Sequence, residues 1–216
     1  MGFELRDRKL GYGAHTVLEN LDINIQSGET VAIIGKSGAG KSTLLLALRE
    51  LLAQQVAWCP QQPGLVPTLS VHHNIYMGQL EQHHFLINLW RLLRPGTIVK
   101  QDIQAICQIL QIQEHQFTPC QKLSGGQLQR ASIGRALYSK KEILLGDEPI
   151  SALDEFHAHQ TLQLLCEHFT TLVVSLHDVD LALNCCQRII ALKAGKILFD
   201  KSSSNVSKSD IHQVYN

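Results

Sequence analysis

The sequence has few charged residues and no excess of either sign. Charged side chains make up 18% of the 216 residues, with 19 lysines and arginines against 19 aspartates and glutamates. Globular proteins carry about 25% charged residues on average. A nucleic-acid binder needs a basic surface to contact phosphates, so this balance argues against that class. The low charge leaves room for an apolar surface that a partner protein covers.

Long apolar segments are also missing. No uninterrupted apolar run approaches the ~18 residues of a membrane helix, and the N-terminus MGFELRDRKL lacks the apolar stretch of a secretory signal. Both absences lead us to expect a cytoplasmic protein. The hydrophobic fraction of 44% excludes a disordered chain, and the length suits one domain with a sizeable core.

Neither the cysteines nor the histidines form a recognisable metal-binding pattern. The six cysteines include no CxxC motif. The vicinal Cys185 and Cys186 fit either a redox pair or two reduced, buried side chains, and the second interpretation is favoured. Three histidine pairs lack an accompanying cysteine or carboxylate cluster, so we expect them on solvated faces rather than at a metal. These pairs are His72 and His73, His83 and His84, and His157 and His159.

The order of the apolar segments predicts an α/β fold. Strands that alternate with helices are typical of a mainly parallel core sheet, here with an inserted helical lobe. The predicted strands cover 3–9, 16–25, 30–35, 56–60, 142–147, 171–176, 188–192 and 196–200. The predicted helices cover 43–53, 70–112 with a break near 94–96, a stretch from 124, 155–168 and a last stretch ending at 215.

Residues 35–43, GKSGAGKST, form a glycine-rich loop between a predicted strand and a predicted helix. They satisfy the pattern GxxxxGK followed by Ser or Thr. The glycines let successive backbone N–H groups face one anion, and the helix adds its positive N-terminal end. Lys41 brings a charge to the β- and γ-phosphates of a nucleotide, and the Ser42 hydroxyl is a ligand for Mg²⁺. The predicted nucleotide-phosphate site comprises Gly35, Lys36, Ser37, Gly38, Ala39, Gly40, Lys41, Ser42 and Thr43.

Asp147 and Glu148 close the apolar strand EILLGD. The carboxyl end of a strand beside a phosphate loop is where Mg²⁺ and water bind. We expect Asp147 to hold Mg²⁺, directly or through water. Glu148 is expected to orient and deprotonate the attacking water, or at least to polarise it. An acidic pair alone is more often a solvated turn, and the phosphate loop is what makes this pair a catalytic candidate.

The segments LSGGQLQRASIGRAL and ILLGDEPISALD closely resemble the nucleotide-binding subunit of ATP-binding cassette (ABC) transporters. The resemblance covers nearly the whole chain, in the family's order. It implies a P-loop NTPase fold that binds ATP and Mg²⁺. It also implies a single domain over 1–216, with the core and an antiparallel β lobe in 1–69 and 140–216. About 70–139 would form the helical lobe that carries LSGGQ.

The resemblance also implies roles for further residues. Tyr12 stands where the family stacks an aromatic ring on adenine, although it also fits an ordinary strand-end aromatic. Gln61 aligns with the glutamine that contacts Mg²⁺ and lies near the membrane subunit. His177, in SLHD, matches the histidine that contacts the γ-phosphate, and with Lys41 and Glu148 it completes the expected catalytic set. Ser124, Gly125 and Gly126 are expected to face the γ-phosphate bound to a second, head-to-tail copy. Asp154 closes SALD, which matches the loop that communicates across the dimer, and it is expected with Gln127 to bind nucleotide.

Two segments look most like the phosphonate-import branch of this family, TLVVSLHDVDLALNCCQRIIALKAGKILFD and SVHHNIYMGQLEQHHFLINLWRLL. They imply an importer ATPase for phosphonate or a related phosphorus oxyanion. Its partners would be a membrane permease, reached through the Gln61 loop and residues about 62–93, a second copy of the chain, and indirectly a solute-binding protein. The subunit would lie in the cytoplasm, peripheral on the inner face of the cell membrane.

The chain departs from its relatives at a few positions. The stretch between Thr43 and Gln61 is short, which predicts a reduced N-terminal antiparallel β lobe. Gly134 and Gly146 replace larger residues, and we expect them to permit a closer helix–strand contact.

Two other functions stay open. A soluble ABC ATPase without a transporter usually has a long coiled-coil insertion or two cassettes, and this sequence has neither. A regulatory module that binds ATP and hydrolyses it weakly is the other candidate. The residues that argue against it are the intact Lys41, Asp147, Glu148 and His177.

Overall fold

The computed structural model describes residues 2–12, 15–94 and 96–216. Its N-terminal part is an antiparallel sheet of two strands, β1 (Phe3–Tyr12) and β2 (His15–Ile25). Apolar residues alternate along β2, so that Leu21, Ile23 and Ile25 are all buried. This face packs on α1 (Lys41–Leu52) and on one side of the core sheet. The antiparallel β region therefore covers the beginning of the phosphate loop's helix.

Six further strands form the core sheet in the order β4-β5-β6-β3-β7-β8. The pairings from β4 to β7 are parallel, and β8 joins β7 in antiparallel orientation. All five residues of β3 and of β6 are buried, which explains why both segments are short, mostly apolar runs in the sequence. The strands are β3 (Thr30–Ile34), β4 (Val56–Cys59), β5 (Ile143–Asp147), β6 (Thr171–Ser175), β7 (Arg188–Lys193) and β8 (Lys196–Ser202).

The register of the parallel strands brings three predicted motifs to one edge. Asp147 of β5 lies opposite Ser175 of β6, and Ser175 lies opposite Ile33 near the end of β3. Parallel strands all end at the same edge of their sheet. The phosphate loop, the acidic pair and the SLHD segment therefore leave the sheet side by side.

Most of the helices follow the predicted pattern, but the helix Val179–Cys185 was not among the predicted ones, and the predicted helix over 70–112 is also interrupted before Phe85. The break near 94–96 separates two of them, and Ser124 caps another as expected. Over the ranges that the structure describes, no helix is long and apolar enough to cross a membrane. After α1 they are α2 (Val71–Tyr76), α3 (Phe85–Leu93), α4 (Thr97–Ile109), α5 (Gly125–Tyr138), α6 (Glu155–His168), α7 (Val179–Cys185) and α8 (Lys208–Tyr215).

The helical lobe shares a hydrophobic core with the sheet. Because side chains alternate across β3, Val31 and Ile33 face α1 and β2, whereas Ala32 and Ile34 belong to the cluster that contains Ile75 of α2. The same cluster continues through α4 and α5 into α6. Packing of this kind holds the lobe firmly against the sheet.

The segment between Thr43 and Gln61 is short, as predicted. α1 ends at Leu52, a single 3₁₀ turn covers Ala53–Gln55, and β4 begins at Val56. Ala53, at the junction, has a positive φ of 47°, which is uncommon for a residue other than glycine. No room exists in this segment for an additional strand pair, and the antiparallel region described here has two strands.

The expectation that the histidine pairs lie on solvated faces is wrong for His72. Its side chain is only 2% exposed, stacks on Phe117 with ring centroids 5.7 Å apart, and contacts the amide of Gln116. Burial, with smaller contributions from His73 and Lys100, lowers the pKa of His72 to about 4. This imidazole is therefore a neutral packing element of the helical lobe at physiological pH.

The expectation about the two unusual glycines is also wrong in one respect. Both permit close contacts, but neither contact joins a helix to a strand. A Cβ at Gly134 in α5 would lie 2.9 Å from Ile75 Cδ1 in α2. A Cβ at Gly146 in β5 would lie 3.0 Å from both Val174 Cγ1 in β6 and Pro149 Cγ in the following turn. The first contact is helix to helix, and the second joins neighbouring strands and a turn.

Gly78→Ala is expected to destabilise the fold by about 1–3 kcal/mol, because its Cβ would lie 2.2 Å from the backbone oxygen of Arg135. Gly134→Ala is the matched control. There the new methyl meets the movable end of Ile75, and the gain in helix propensity of about 1 kcal/mol offsets part of the cost. Urea denaturation of both variants tests the difference, and equal midpoints would contradict the packing described for Gly78.

Candidate functional site

The glycine-rich loop runs from the end of β3 to the start of α1. Gly38 and Gly40 have φ of 80° and 104°, which glycine adopts without steric cost. A Cβ at Gly40 would lie 2.5 Å from Leu18 Cδ2, so β2 packs directly on the loop. Residues 36–38 are exposed. β2 thus packs against the loop at Gly40, while residues 36–38 remain accessible to a ligand.

Lys41 is a buried cation at the start of α1. It is 5% exposed, and its Nζ donates to the backbone oxygens of Gly35 at 2.8 Å and Lys36 at 3.3 Å. Burial lowers the pKa of Lys41, and the charges of Glu148 and Asp147 oppose that shift. The ion pairs found among the described residues do not include Lys41. A buried ammonium without an ion-pair partner fits an anionic ligand such as a nucleotide phosphate.

Ser175 connects the two acidic residues. It is fully buried at the end of β6, directly beside Asp147. Its hydroxyl donates to Asp147 Oδ1 at 2.7 Å and accepts a hydrogen bond from the backbone N–H of Glu148 at 2.9 Å. Asp147 is itself 6% exposed. One serine therefore fixes the carboxylate of the first acid and the backbone of the second.

Glu148 has a strained backbone that its neighbours hold in place. Its φ of 49° is uncommon for a residue other than glycine and costs on the order of 1–3 kcal/mol. The backbone oxygen of Glu148 accepts hydrogen bonds from Gln129 Nε2 at 2.9 Å and from Ser151 Oγ at 3.1 Å. Together with the bond to Ser175, these contacts hold the turn from both sides.

The carboxylate of Glu148 meets two other predicted site residues. Its Oε1 lies 2.5 Å from His177 Nε2, and its Oε2 accepts a hydrogen bond from Gln61 Nε2 at 3.3 Å. The Glu148 side chain is 12% exposed and that of His177 52%. Segments that follow β4, β5 and β6 thus converge on one half-enclosed carboxylate. Such a group can accept a proton from a water molecule held next to it.

Ser124 begins the second candidate region, at the start of α5. Its Oγ accepts from the N–H of Gln127 at 3.4 Å, and Gln127 Oε1 accepts from the N–H of Ser124 at 2.9 Å, so the two residues form a capping box. A Cβ at Gly126 would lie 3.0 Å from the backbone oxygen of Ala152. The N–H groups of the first turn are at the positive end of the helix, which suits an anion.

Asp154 begins α6. Its Oδ1 accepts from the backbone N–H of His157 at 3.1 Å, and its Oδ2 lies 2.6 Å from His157 Nδ1. These bonds, with the backbone N–H bond contributing most, lower the pKa of Asp154. His157 Nε2 reaches Gln111 Oε1 of the helical lobe at 3.2 Å. The carboxylate of Asp154 is therefore charged and engaged at the cap of its own helix.

The predicted site residues thus fall into two groups, one around the phosphate loop and the acidic pair, the other at the starts of α5 and α6. The described hydrogen bonds link the groups through Gln129, which binds both the Glu148 backbone oxygen and the Ala152 N–H. Ser42 and Thr43 are half-buried in the first turn of α1. The side chain of Tyr12 lies outside the described part of the chain. The first group brings together Lys41, Gln61, Asp147, Glu148 and His177, and the second contains Ser124, Gly125, Gly126, Gln127 and Asp154.

Sequence reasoning missed Ser175 and Gln129, which position the site without belonging to a predicted binding pattern. Ser175 had a usable signal, because it ends its strand in SLHD as Asp147 does in EILLGD.

Arg135 and Asn74 were missed as well. Arg135 donates to the backbone oxygens of residues 63 and 64, and Asn74 binds those of residues 66, 69 and 70. These two side chains hold the loop after Gln61 against the helical lobe.

Comparison with known proteins agrees with this geometry. The family model described as ABC transporter matches residues 18–151. The phosphonates import ATP-binding protein PhnC 1 of Pseudomonas savastanoi pv. phaseolicola is 39% identical over 227 residues, covering 92% of this chain and 85% of the relative. The PhnC protein of Pseudomonas entomophila is 36% identical over 244 residues, covering 100% of this chain and 92% of the relative. Both alignments are longer than the 216 residues of this chain, so the relatives carry residues that it lacks.

Solved structures agree on the fold. The ATP-binding cassette MJ0796, in a dimeric post-hydrolysis state bound to ADP and Pi, superposes with a TM-score of 0.80 at 26% identity. That superposition covers 94% of this chain and 99% of the cassette. The matched family residues include the phosphate loop and the acidic pair. The chain therefore belongs to the ABC transporter family, as an ATP-binding cassette whose ATP hydrolysis is coupled to transport.

Proposed function

We propose that this chain is the ATP-hydrolysing subunit of an importer for phosphonate or a related phosphorus oxyanion. Two copies would enclose two ATP molecules head to tail, and hydrolysis would drive a membrane permease between two conformations. A solute-binding protein would deliver the solute to that permease. The subunit would lie in the cytoplasm, peripheral on the inner face of the cell membrane.

The observation that carries this proposal is the contact of the Glu148 carboxylate with both Gln61 and His177. In the proposed reaction Glu148 accepts a proton from the attacking water, and His177 contacts the γ-phosphate. Lys41 binds the β- and γ-phosphates of the substrate together with the N–H groups of residues 35–43. Tyr12 is the proposed contact for adenine.

The oxygen donors around the acidic pair suit Mg²⁺, which prefers hard oxygen ligands. We assign the metal to the Ser42 hydroxyl, the Asp147 carboxylate and the Gln61 amide. Mg²⁺ bound there would neutralise charge on the β- and γ-phosphate oxygens. The bond from Ser175 to Asp147 Oδ1 orients this carboxylate before any ligand binds. Ser175 therefore holds one of the three proposed metal ligands in place.

A second copy would complete each nucleotide site. Each chain contains one phosphate loop and one further helix start at residues 124–127, and these satisfy each other in a two-fold arrangement. Within one chain, Ser124 and Gln127 already cap each other, which leaves the N–H groups of Gly125 and Gly126 to the partner's γ-phosphate. Asp154 would communicate across the same dimer. The solved MJ0796 cassette supports the arrangement, since it is a dimer.

The permease is proposed to dock through the Gln61 loop and residues about 62–93. A groove of about 670 Å³ opens beside this loop, between the end of α1, β4 and the helical lobe, and includes Trp58, Gly64 and Glu81 in its lining. α3 also presents an exposed apolar face with Phe85, Leu86 and Trp90. Since Gln61 binds Glu148 and the following residues bind the helical lobe, a force on this loop would reach the catalytic carboxylate.

Kinship supports the choice of solute. Curated relatives at 36–39% identity are named as phosphonates import ATP-binding proteins, among them those of Pseudomonas savastanoi pv. phaseolicola and Pseudomonas entomophila. The ATPase of an importer does not itself touch the solute. The solute class therefore needs a cellular experiment, whereas the ATPase chemistry can be tested on the purified chain.

Glu148→Gln is expected to reduce ATP turnover by about 10²–10⁴-fold, because it removes a general base while keeping the size of the side chain. ATP should then hold the chain as a dimer in size-exclusion chromatography with light scattering. Glu142→Gln, at the exposed residue just before the start of β5, is the control and should turn over normally. Undiminished hydrolysis in Glu148→Gln would remove the assigned base.

Ser175→Ala should lower turnover roughly tenfold or more, since both acidic residues lose a fixed partner and small displacements at a reacting centre are costly. The concentration of Mg²⁺ required for half-maximal activity should rise, because Asp147 loses its orienting bond. Ser139→Ala removes a comparable buried hydroxyl at the end of α5 and should change stability without changing the Mg²⁺ requirement. Identical Mg²⁺ titrations for the two variants would contradict the role given to Ser175.

A strain that lacks this gene should fail to grow on phosphonate or phosphite as the sole phosphorus source. The wild-type gene should restore growth, and Lys41→Ala should not, because the phosphate loop loses its charge. Growth on inorganic phosphate serves as the control and should be equal in all strains. Normal growth of the Lys41→Ala strain on both phosphorus oxyanions would overturn the proposed solute class.

A further inference from the structure

A cavity of about 220 Å³ lies where the helical lobe meets α6. Its walls come from the end of α4 and the residues after it, the second turn of α5 and the first half of α6. The polar side chains in the lining are Gln111, Arg130, His157, Gln160 and Thr161, and the rest is isoleucine and leucine. Among the residues that the structure describes, the lining has one arginine and no carboxylate. We call this space the Arg130 cavity.

The charged group of Arg130 has no partner in the described part of the chain. Arg130 is half-buried in α5, and its Nε is buried without a hydrogen-bond acceptor. The ion pairs and side-chain hydrogen bonds found in residues 2–12, 15–94 and 96–216 do not include its guanidinium. Because charges removed from water are normally paired in proteins, Arg130 fits an anion that the chain itself does not supply.

Neutral hydrogen-bond donors line the same cavity from α6 and from the segment after α4. The side-chain amide of Gln160 and the hydroxyl of Thr161 make no hydrogen bond within the described ranges. His157 is engaged through both ring nitrogens, with Asp154 Oδ2 at 2.6 Å and with Gln111 Oε1 at 3.2 Å. The second contact uses the oxygen of the Gln111 amide, so its N–H groups stay available to a ligand. The Asp154 carboxylate does not itself line the cavity.

We propose that the Arg130 cavity binds a small phosphorus oxyanion, either phosphate or a phosphonate group. A guanidinium binds two oxygens of such an ion side by side, and neutral amides and hydroxyls can bind the others. A tetrahedral ion presents its oxygens in several directions and so suits donors from three segments, whereas a carboxylate presents two oxygens in one plane. The apolar part of the wall strengthens the attraction, because it lowers the local dielectric constant. The volume holds one such ion with a few water molecules of about 30 Å³ each.

The ion would connect two helices whose first residues belong to the second group of site residues. α5 begins after Ser124, α6 begins after Asp154, and both helices contribute to the cavity wall. Its described lining includes no residue of 35–43 and neither member of the acidic pair. The Arg130 cavity is therefore separate from the phosphate loop of the same chain. Binding there needs neither ATP hydrolysis nor a permease, so a negative result would leave the proposed transport function standing.

The test measures the binding of inorganic phosphate to the full chain by isothermal titration calorimetry. It uses the Lys41→Ala chain, because the phosphate loop would otherwise compete for the same ion. We expect one phosphate per chain, and adding Arg130→Gln should raise the Kd at least about tenfold, since a charge-assisted, two-oxygen contact is lost. Arg6→Gln, which removes an exposed arginine of β1, is the control and should leave the Kd unchanged. The proposal is overturned if Lys41→Ala binds no phosphate, or if Arg130→Gln binds it as tightly as the control does.

A second pair of variants keeps the test decisive if Arg130→Gln folds poorly. Gln160→Glu puts a carboxylate at an exposed position of the cavity, where it repels the anion or pairs with Arg130, so phosphate binding should be lost in either case. Gln163→Glu adds the same charge about one turn further along α6, outside the cavity lining, and should bind phosphate like its parent. Equal phosphate binding by these two variants would contradict the site.

Two further titrations identify the occupant. Methylphosphonate carries the same kind of oxygens on phosphorus. Tighter binding than phosphate would assign the cavity to the solute class in the proposed function, and weaker binding would assign it to free phosphate. Acetate should bind at least about tenfold more weakly than phosphate, because it can engage fewer of the donors. Acetate that binds as tightly as phosphate would overturn the assignment of a phosphorus oxyanion.

Discussion

The two hydrogen bonds of the Ser175 hydroxyl join the strand that carries the acidic pair to the strand that carries His177. They require that β5 and β6 run parallel with Asp147 opposite Ser175, and that Glu148 takes up a left-handed backbone conformation. Since these conditions hold, the Glu148 carboxylate turns toward Gln61 and His177. Both strands are largely buried in the core sheet, where close packing restricts their movement.

The loop after β4 transmits that geometry to the rest of the molecule. Its first residue, Gln61, binds Glu148, while the residues that follow are bound by Arg135 and Asn74 of the helical lobe. Gln129 makes a second connection, from α5 to the backbone on both sides of the turn after the acidic pair. The helical lobe is thus connected to Glu148 at two places, to its side chain through the loop that begins at Gln61 and to its backbone oxygen through Gln129.

Much of the fold could be predicted from the sequence, because its signals are local. The β-branched run at 30–35, the glycines of the phosphate loop and the cap at Ser124 each act through neighbouring residues, and each element appeared where it was expected. Errors arose where contacts span the fold. His72 was expected at the surface, but the folded chain buries it beside Phe117. Gly134 and Gly146 contact residues in segments far along the chain.

The sequence by itself determined the family, the phosphate loop, the acidic pair and the short connection after α1, since motif spacing and periodicity carry that information. Tertiary structure decided which residues support them. Ser175 and Gln129 became visible only through strand register and helix packing, which bring together positions 28 and 19 residues away from their partners. A sequence shows a side chain's type and its neighbours along the chain, whereas folding alone decides its neighbours in space.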